Sequence, residues 1–244
     1  MKIFNEDCIP AIKAMKENQF DICITSPPYN MNLRIMNGKY KSRQIVRELS
    51  TKYMGYDDNL PMDDYFEFLR GVVAELVRVC GLVFFNVQIV TGNKPSIFRL
   101  LGEYHDQVKE LIVWDKTNAE PSISDGCLNS EFELLIVFSS KALTRAFSPA
   151  YFERGTLSNI FRIKKGRSSD PTHGASFPVQ LPSKILSNFG KRGDSVLDPF
   201  AGTGTTGIAC HDFGFDFTGY EINPEYFKTM QGRIKRHSDQ MRLL

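Results

Sequence analysis

Apolar residues recur at strand spacing and helical spacing in alternation along most of the chain. FDICITS (20–26) is a strand-length apolar run that stops against Pro27 and Pro28, and MDDYFEFLRGVVAELVRVC (62–80) places Tyr65, Phe68, Leu69, Val72, Val73, Leu76 and Val79 on one helical face. GLVFFNVQ (81–88) comes next as a buried strand, IFRLLGEY (97–104) as a helix, and KELIVWDK (109–116) and EFELLIVFSS (131–140) as strands. SVLDPF (195–200) is a strand that enters a glycine turn. This alternation predicts an α/β fold with a mostly parallel sheet wrapped by helices, and leaves the strand order open.

Two segments interrupt the pattern. Residues 31–60 are polar and basic, and residues 139–175 are basic, with Gly155, Gly166 and Gly174 and no sustained periodicity. Segments this long inside one domain are usually either functional or disordered. With 244 residues the chain is expected to be a single catalytic domain spanning 1–244 and carrying these insertions, because two large independent cores would not fit.

Charge sharpens that picture. The net charge is only +2, yet residues 31–52 hold six basic side chains against Glu48, and residues 141–192 hold ten against Glu153 and Asp170. The rest of the chain is therefore acidic, and the segregation suits a polyanion gripped by particular loops, with plain solvated faces as the alternative. Five cysteines (Cys8, Cys23, Cys80, Cys127, Cys210) lack CxxC spacing, so neither a disulfide framework nor a metal site is expected. The amino terminus lacks the basic and apolar regions of an export signal, and no run reaches membrane-spanning length; a cytoplasmic protein without membrane association is expected.

In SVLDPFAGTGTTGIACHDFGFDFTGYEIN, Gly202, Gly204 and Gly207 have G-x-G-x-x-G spacing between a strand and a helix. By itself this allows a helix-entry turn with no ligand. No Lys succeeds the last glycine, so the loop is not a P-loop. Asp198 would repel a pyrophosphate but can face a cationic ligand, and Glu221 stands where a carboxylate can accept both hydroxyls of a ribose. A nucleoside without phosphates and with a positive centre, S-adenosylmethionine, suits these residues best; NAD is the next candidate.

ICITSPPYN is the most informative run. Proline cannot donate to a sheet ladder, so the strand ends at Ser26 and exposes the next residues at the carboxyl end of the sheet, where open α/β sheets place ligands. The Pro27–Pro28 peptide has no N–H, which leaves the Pro27 carbonyl without a neighbouring donor. An exocyclic base amine is a weak nucleophile because its lone pair is delocalised. The Ser26 hydroxyl and the Pro27 carbonyl can each take one of its N–H groups and free that lone pair for an electrophilic methyl. Tyr29 would supply a face for a base taken out of the duplex. A rigid turn with Tyr29 in the core is the ordinary alternative.

Thr25-Ser26-Pro27-Pro28-Tyr29-Asn30 and Asp198-Pro199-Phe200-Ala201-Gly202-Thr203-Gly204-Thr205 closely resemble the catalytic and cofactor motifs of the amino-group DNA methyltransferases. Their order, catalytic motif first, resembles the beta class. Asn5-Glu6-Asp7-Cys8 and His173-Gly174-Ala175-Ser176-Phe177-Pro178-Val179-Gln180-Leu181 resemble two further cofactor segments of that class. The resemblance implies a single Rossmann-like methyltransferase domain, S-adenosylmethionine as cofactor, and duplex DNA as partner. It implies cofactor contacts from Asp7, Cys8, Phe177, Pro178, Asp198, Pro199, Phe200, Gly202, Gly204 and Glu221, and a base held by Ser26, Pro27, Pro28 and Tyr29. Phe132 falls where relatives often set a ring against the flipped base, with an apolar strand residue as the alternative.

By the same resemblance, 139–175 is a target-recognition insertion. Arg34, Lys39, Lys41 and Arg43 in the first basic segment and Arg162, Lys164, Lys165 and Arg167 in the second are the expected DNA contacts. Many adenine-modifying relatives carry Asp where this chain has Ser26, and serine is more typical of cytosine N4 enzymes, so cytosine N4 is favoured over adenine N6 as target. The family's frequent dimers and its restriction–modification pairing make a homodimer and a cognate restriction endonuclease candidate partners. Methyl transfer to RNA or protein, an NAD-dependent dehydrogenase and a non-catalytic DNA-binding protein are the competing classes.

Overall fold

A computed structural model describes residues 1–30, 35–36, 39–40, 60–120, 125–142, 144–166 and 177–241. In chain order the elements are β1 (Lys2–Phe4), α1 (Cys8–Ala14), β2 (Phe20–Thr25), the two-residue strands β3 (Ile35–Met36) and β4 (Lys39–Tyr40), α2 (Met62–Val79), β5 (Cys80–Val87) and α3 (Lys94–Glu103). They continue with β6 (Val108–Glu120), β7 (Ser130–Phe138), β8 (Ile160–Arg162), α4 (Gln180–Phe189), β9 (Ser195–Asp198), α5 (Thr205–Phe213), β10 (Asp216–Tyr220) and α6 (Pro224–Met241).

One eight-stranded sheet has the order β1-β10-β9-β2-β5-β7-β6-β8. All its strands run the same way except β7, which is antiparallel to both β5 and β6. The fold is thus the expected α/β type with a mostly parallel sheet. From β9 the chain winds outward to β10, and from β2 it winds the opposite way to β5, so the direction reverses between β9 and β2. At such a point the two loops leaving adjacent strand ends diverge and open a crevice at the carboxyl edge.

Strand alternation sorts the core into two layers. Cys23, Val83, Phe85, Ile136, Phe138 and Leu197 face α1, α2 and α3 on one side, whereas Ile22, Ile24, Phe84, Leu135, Val137 and Val196 face α4, α5 and α6 on the other. The periodic face read from residues 62–80 is the one that is buried: Tyr65, Leu69, Val72, Val73, Leu76 and Val79 are inaccessible, each side chain contributing roughly 1.5–3 kcal/mol by burial. Asp63 and Asp64 in the first turn of α2 oppose the helix dipole favourably.

The described part of segment 139–175 joins the main sheet. Its residues 160–162 form β8, which pairs in parallel with β6 at the edge of the main sheet. Phe147 and Phe152 pack edge-on against Phe189 at the end of α4, and Phe161 is fully buried. Apolar residues spaced irregularly between basic ones carry no period, yet they are enough to weld this stretch to the sheet.

Candidate active site

The crevice between β9 and β2 brings the two informative motifs together. Ile22 pairs with Val196 and Cys23 with Leu197, so both strands end at the same edge of the sheet. The Thr25 hydroxyl donates to Oδ1 of Asp198 (2.9 Å) across that boundary.

The turn after β2 is held from several directions. Asn30 adopts the left-handed conformation (φ 52°), which Asn tolerates better than most residues. Its side chain donates to the carbonyls of Leu60 and Gly92 and accepts from the Leu60 N–H. The Pro28 carbonyl accepts from the Tyr65 hydroxyl (2.7 Å) and the Tyr29 carbonyl from the Asn93 side chain (2.8 Å). Among the described residues no donor takes the Pro27 carbonyl, the one acceptor that the Pro-Pro pair was expected to set aside. Ser26 is partly exposed beside it.

For Tyr29 the two expectations were a face for the base and a core position. It is only 6% exposed, so it offers little face to a base. Its hydroxyl instead lies 2.8 Å from Ser26 Oγ, 2.9 Å from Asn86 Nδ2 and 3.0 Å from Glu133 Oε2. Asn86 Nδ2 also donates to Glu133 Oε2 (2.8 Å), and Lys116 Nζ stands 3.5 Å from Glu133 Oε1. Asn86, Lys116 and Glu133 are all buried. Sequence reasoning missed this polar network; its signal was an Asn, a Lys and a Glu at the ends of otherwise apolar strands. An exposed ring at the same edge is Phe132, next to Glu133 and 50% accessible.

In the second motif Gly202 (φ 53°) and Gly204 (φ 84°) turn the chain in the left-handed region. A Cβ on Gly204 would lie 2.6 Å from Met230 Cγ, so α6 packs against the turn at a distance only glycine permits. Glu221 accepts from the Gly202 N–H through Oε2 and from the Asn223 N–H through Oε1, each at 2.8 Å. Burial raises its pKa and these backbone donors lower it. The Asn223 side chain in turn accepts from the N–H groups of Glu225 and Tyr226, starting α6, with Pro224 as its first residue.

Asp198, expected beside the cofactor, also ties the two motifs together. It is 2% exposed, and its oxygens accept from the Thr25 hydroxyl, the Phe200 N–H (3.2 Å) and the Thr206 hydroxyl (2.7 Å). Burial pushes its pKa up to about 6, against the downward pull of those hydrogen bonds. Asp198 is therefore a brace between the motifs. Cys8 is likewise buried rather than presented to a ligand, and desolvation moves its thiol pKa upward. Asp7 caps α1 by accepting from the Ile9 N–H (3.0 Å), and Asn5 donates to the Glu221 carbonyl (2.7 Å), which sets the amino-terminal segment beside Glu221.

Pro199 and Phe200 lie in the turn itself, where the Phe200 ring packs on Phe68 with centroids 6.1 Å apart. Phe177 packs against the α4–α6 layer, and the Pro178 carbonyl accepts from the Leu181 N–H at the start of α4. Arg162, Lys164 and Lys165 lie at and beyond the carboxyl end of β8, at the same sheet edge as Ser26. Arg34, Lys41, Arg43 and Arg167 lie outside the described residues, as does His173–Ser176; Lys39 falls on β4, where only the backbone is described.

Metal-capable groups occur elsewhere: His211, Asp212 and His237 place ligand-type atoms within 4.8 Å of one another at the far end of α5, where His237 and Asp212 are hydrogen-bonded directly. A cavity of about 550 Å³ bordered by Glu110, Arg145, Phe147 and Phe152 opens at the amino-terminal edge of the sheet, away from the crevice. Among the described residues no helix is long and apolar enough to cross a membrane.

Comparison with known proteins agrees with this geometry. Type II methyltransferase M.HinfI of Haemophilus influenzae is 23% identical over 96% of this chain and 68% of its own length, and type II methyltransferase M.HpaI of Haemophilus parainfluenzae is 24% identical over 96% and 74%. Among solved structures, the cytosine-N4-specific PvuII DNA methyltransferase superposes with a TM-score of 0.70 at 16% identity, covering 97% of this chain and 89% of that one. The complex of M1.HpyAVI with S-adenosylmethionine gives 0.62 at 22% identity, covering 95% and 98%. A family model described as DNA methylase, of the N6/N4 class, matches residues 20–232, and the chain belongs to that family.

Proposed function

We propose that this protein transfers the methyl group of S-adenosylmethionine to the exocyclic amino nitrogen of a base displaced from duplex DNA, with cytosine N4 as the first candidate target. The observation that carries the reading is the meeting of two unlike half-sites at one sheet edge. Ser26 and the Pro27 carbonyl are acceptors with the valences an amine needs, and the glycine turn with Glu221 lies across the Thr25–Asp198 hydrogen bond from them.

The residues present fit the cofactor. Glu221 keeps lone pairs beyond those used by the Gly202 and Asn223 N–H groups, enough to accept ribose hydroxyls, and the left-handed glycines let the backbone approach closely. When bound, S-adenosylmethionine supplies an electrophilic methyl carbon. The chain's own contribution is orientation: Ser26 and Pro27 take the two amine hydrogens, which draws the nitrogen lone pair out of conjugation and aims it. Phe132 is the proposed stacking surface for the displaced base, in place of Tyr29. Arg162, Lys164 and Lys165 at the same edge are proposed phosphate contacts.

Ser26 and the name of the PvuII relative favour cytosine N4. Adenine N6 is the second reading, favoured because the Ser26 hydroxyl donates inward to Tyr29 Oη and the Asn86 backbone carbonyl, which leaves its lone pairs for an amine as the Asp of many adenine-modifying relatives would. A homodimer and a cognate restriction endonuclease remain proposals supported by the resemblance and by the type II naming of the relatives.

The test is incubation of the purified protein with duplex DNA and methyl-labelled S-adenosylmethionine, followed by mass spectrometry of the nucleosides. Label in N4-methylcytosine or N6-methyladenine supports the proposal and selects the base. Label in 5-methylcytosine, or in RNA or protein alone, overturns it.

A further inference from the structure

A serine hydroxyl is both donor and acceptor, and only an acceptor helps an amine react. If the Ser26 hydrogen pointed into the crevice it would oppose the amine's own hydrogens. The groups that fix its direction are therefore part of the chemistry.

We propose that Glu133 is a positioning residue that sets the polarity of the Ser26 hydroxyl through Tyr29 and receives the proton released by methyl transfer; this rests on the amine reading given above. The carboxylate of Glu133 can only accept. Tyr29 Oη, 3.0 Å from Glu133 Oε2, must then donate to it, because Asn86 Nδ2 at 2.9 Å already donates to the phenol oxygen. Tyr29 Oη is left with acceptor capacity toward Ser26 Oγ at 2.8 Å. Among the described residues the other atom within reach of Ser26 Oγ is the Asn86 backbone carbonyl oxygen at 3.3 Å, again an acceptor. Both directions available to the Ser26 hydrogen lead into the protein, so the Oγ lone pairs face the crevice.

The same chain can carry charge away. As the N–C bond forms and the S–C bond breaks, the sulfonium becomes a thioether and the amine nitrogen holds one proton too many. That proton passes to Ser26 Oγ while the Ser26 hydrogen moves to Tyr29 Oη and the Tyr29 hydrogen to Glu133 Oε2. No oxygen in the chain gains a net charge except Glu133, which goes from carboxylate to carboxylic acid beside Lys116. Once product leaves, the proton returns to water in the crevice by the reverse steps.

Glu133→Gln tests the assignment sharply. Lys116, next to Oε1, holds the amide oxygen on its own side. An NH₂ then stands where Oε2 accepted, and the hydroxyl chain reverses. Single-turnover methyl transfer at saturating duplex DNA and labelled S-adenosylmethionine should slow roughly tenfold or more in Glu133→Gln and in Tyr29→Phe. The double variant should be no slower than the slower single, because both break one chain. Cofactor affinity by calorimetry and the melting temperature should stay near wild type in Tyr29→Phe. A wild-type rate in either variant, multiplicative losses in the double, or unfolding of both singles overturns the proposal and leaves the network a packing feature. Failure of the underlying amine reading shows separately, as wild-type protein that yields no N-methylated nucleoside.

Discussion

The Thr25 hydroxyl reaches Oδ1 of Asp198 at 2.9 Å over a separation of 173 positions, joining the strand end that carries the proposed amine acceptors to the strand end that opens the glycine turn. Because the carboxylate is buried, each donor to it offsets part of its desolvation. Thr25→Val keeps the shape and removes the donor, which raises the Asp198 pKa further. The variant should lose about 1–3 kcal/mol of stability at pH 8, where Asp198 is ionised, and less at pH 5. Urea unfolding at the two pH values measures this; equal losses would mean the hydroxyl does not serve the charge.

Asp198 itself should leave a signature in stability against pH. Its folded pKa of about 6 lies above its ordinary value of 3.8, so the native state holds the proton more tightly than the unfolded chain. The contribution is fully present below about pH 4 and is lost as pH rises through 6. A difference of about two units corresponds to about 3 kcal/mol. Asp198→Asn removes this titration, so the stability of wild type relative to the variant should fall by about 2 kcal/mol between pH 4 and pH 7. A flat difference across that range would contradict a buried, ionisable carboxylate.

Both turns were legible in the sequence because proline and glycine act locally: Pro27 ends a strand wherever that strand lies, and Gly204 marks a left-handed turn wherever that turn packs. The alternation of strand and helix was legible for the same reason. The order of strands was not, since pairing β9 with β2 depends on contacts across 173 positions. The burial of Asp198 and Tyr29 was not legible, because a polar residue beside a motif looks the same in sequence whether it faces a ligand or the core. Glu133 and Lys116 escaped because their meaning lies in pairing between neighbouring strands.

The glycine turn should tolerate no Cβ at position 204. Gly193 (φ 90°) has nothing within 4 Å of an added Cβ, whereas at Gly204 (φ 84°) the Cβ would strike Met230. Gly193→Ala thus measures the backbone cost alone, on the order of 1 kcal/mol. Gly204→Ala adds overpacking of about 1–3 kcal/mol and should lower the melting temperature further. Equal effects at the two sites would show that α6 can move away from the turn.

Binding and chemistry should separate between the half-sites. Glu221→Gln sets an NH₂ against one of the backbone N–H groups that the carboxylate now accepts, which disturbs the turn and removes an acceptor from the ribose position. Its S-adenosylmethionine dissociation constant should rise about tenfold or more, as expected for a lost charged hydrogen bond. Ser26→Ala should leave that constant within about twofold and lower the rate of methyl transfer instead. Calorimetry and single-turnover rates on both variants check the split. Loss of cofactor affinity in Ser26→Ala with none in Glu221→Gln would reverse the assignment of the two strand ends.

The basic residues at the end of β8 should read out as salt dependence. Arg162 has a largely exposed side chain, 3.6 Å from Asp115 at the strand end, and is free to swing toward a phosphate; Lys164 is exposed and Lys165 half-buried at the same edge. A phosphate contact contributes close to 0.9 to the slope of log affinity against log salt. Replacing Arg162, Lys164 and Lys165 together by Ala should therefore weaken duplex binding at every sequence and reduce the slope by up to about 3. Cofactor affinity should not change, because these residues stand across the sheet from the glycine turn, beyond β6 and β7. Fluorescence anisotropy over a salt series measures the slope, and an unchanged value would remove this edge from the DNA-binding surface.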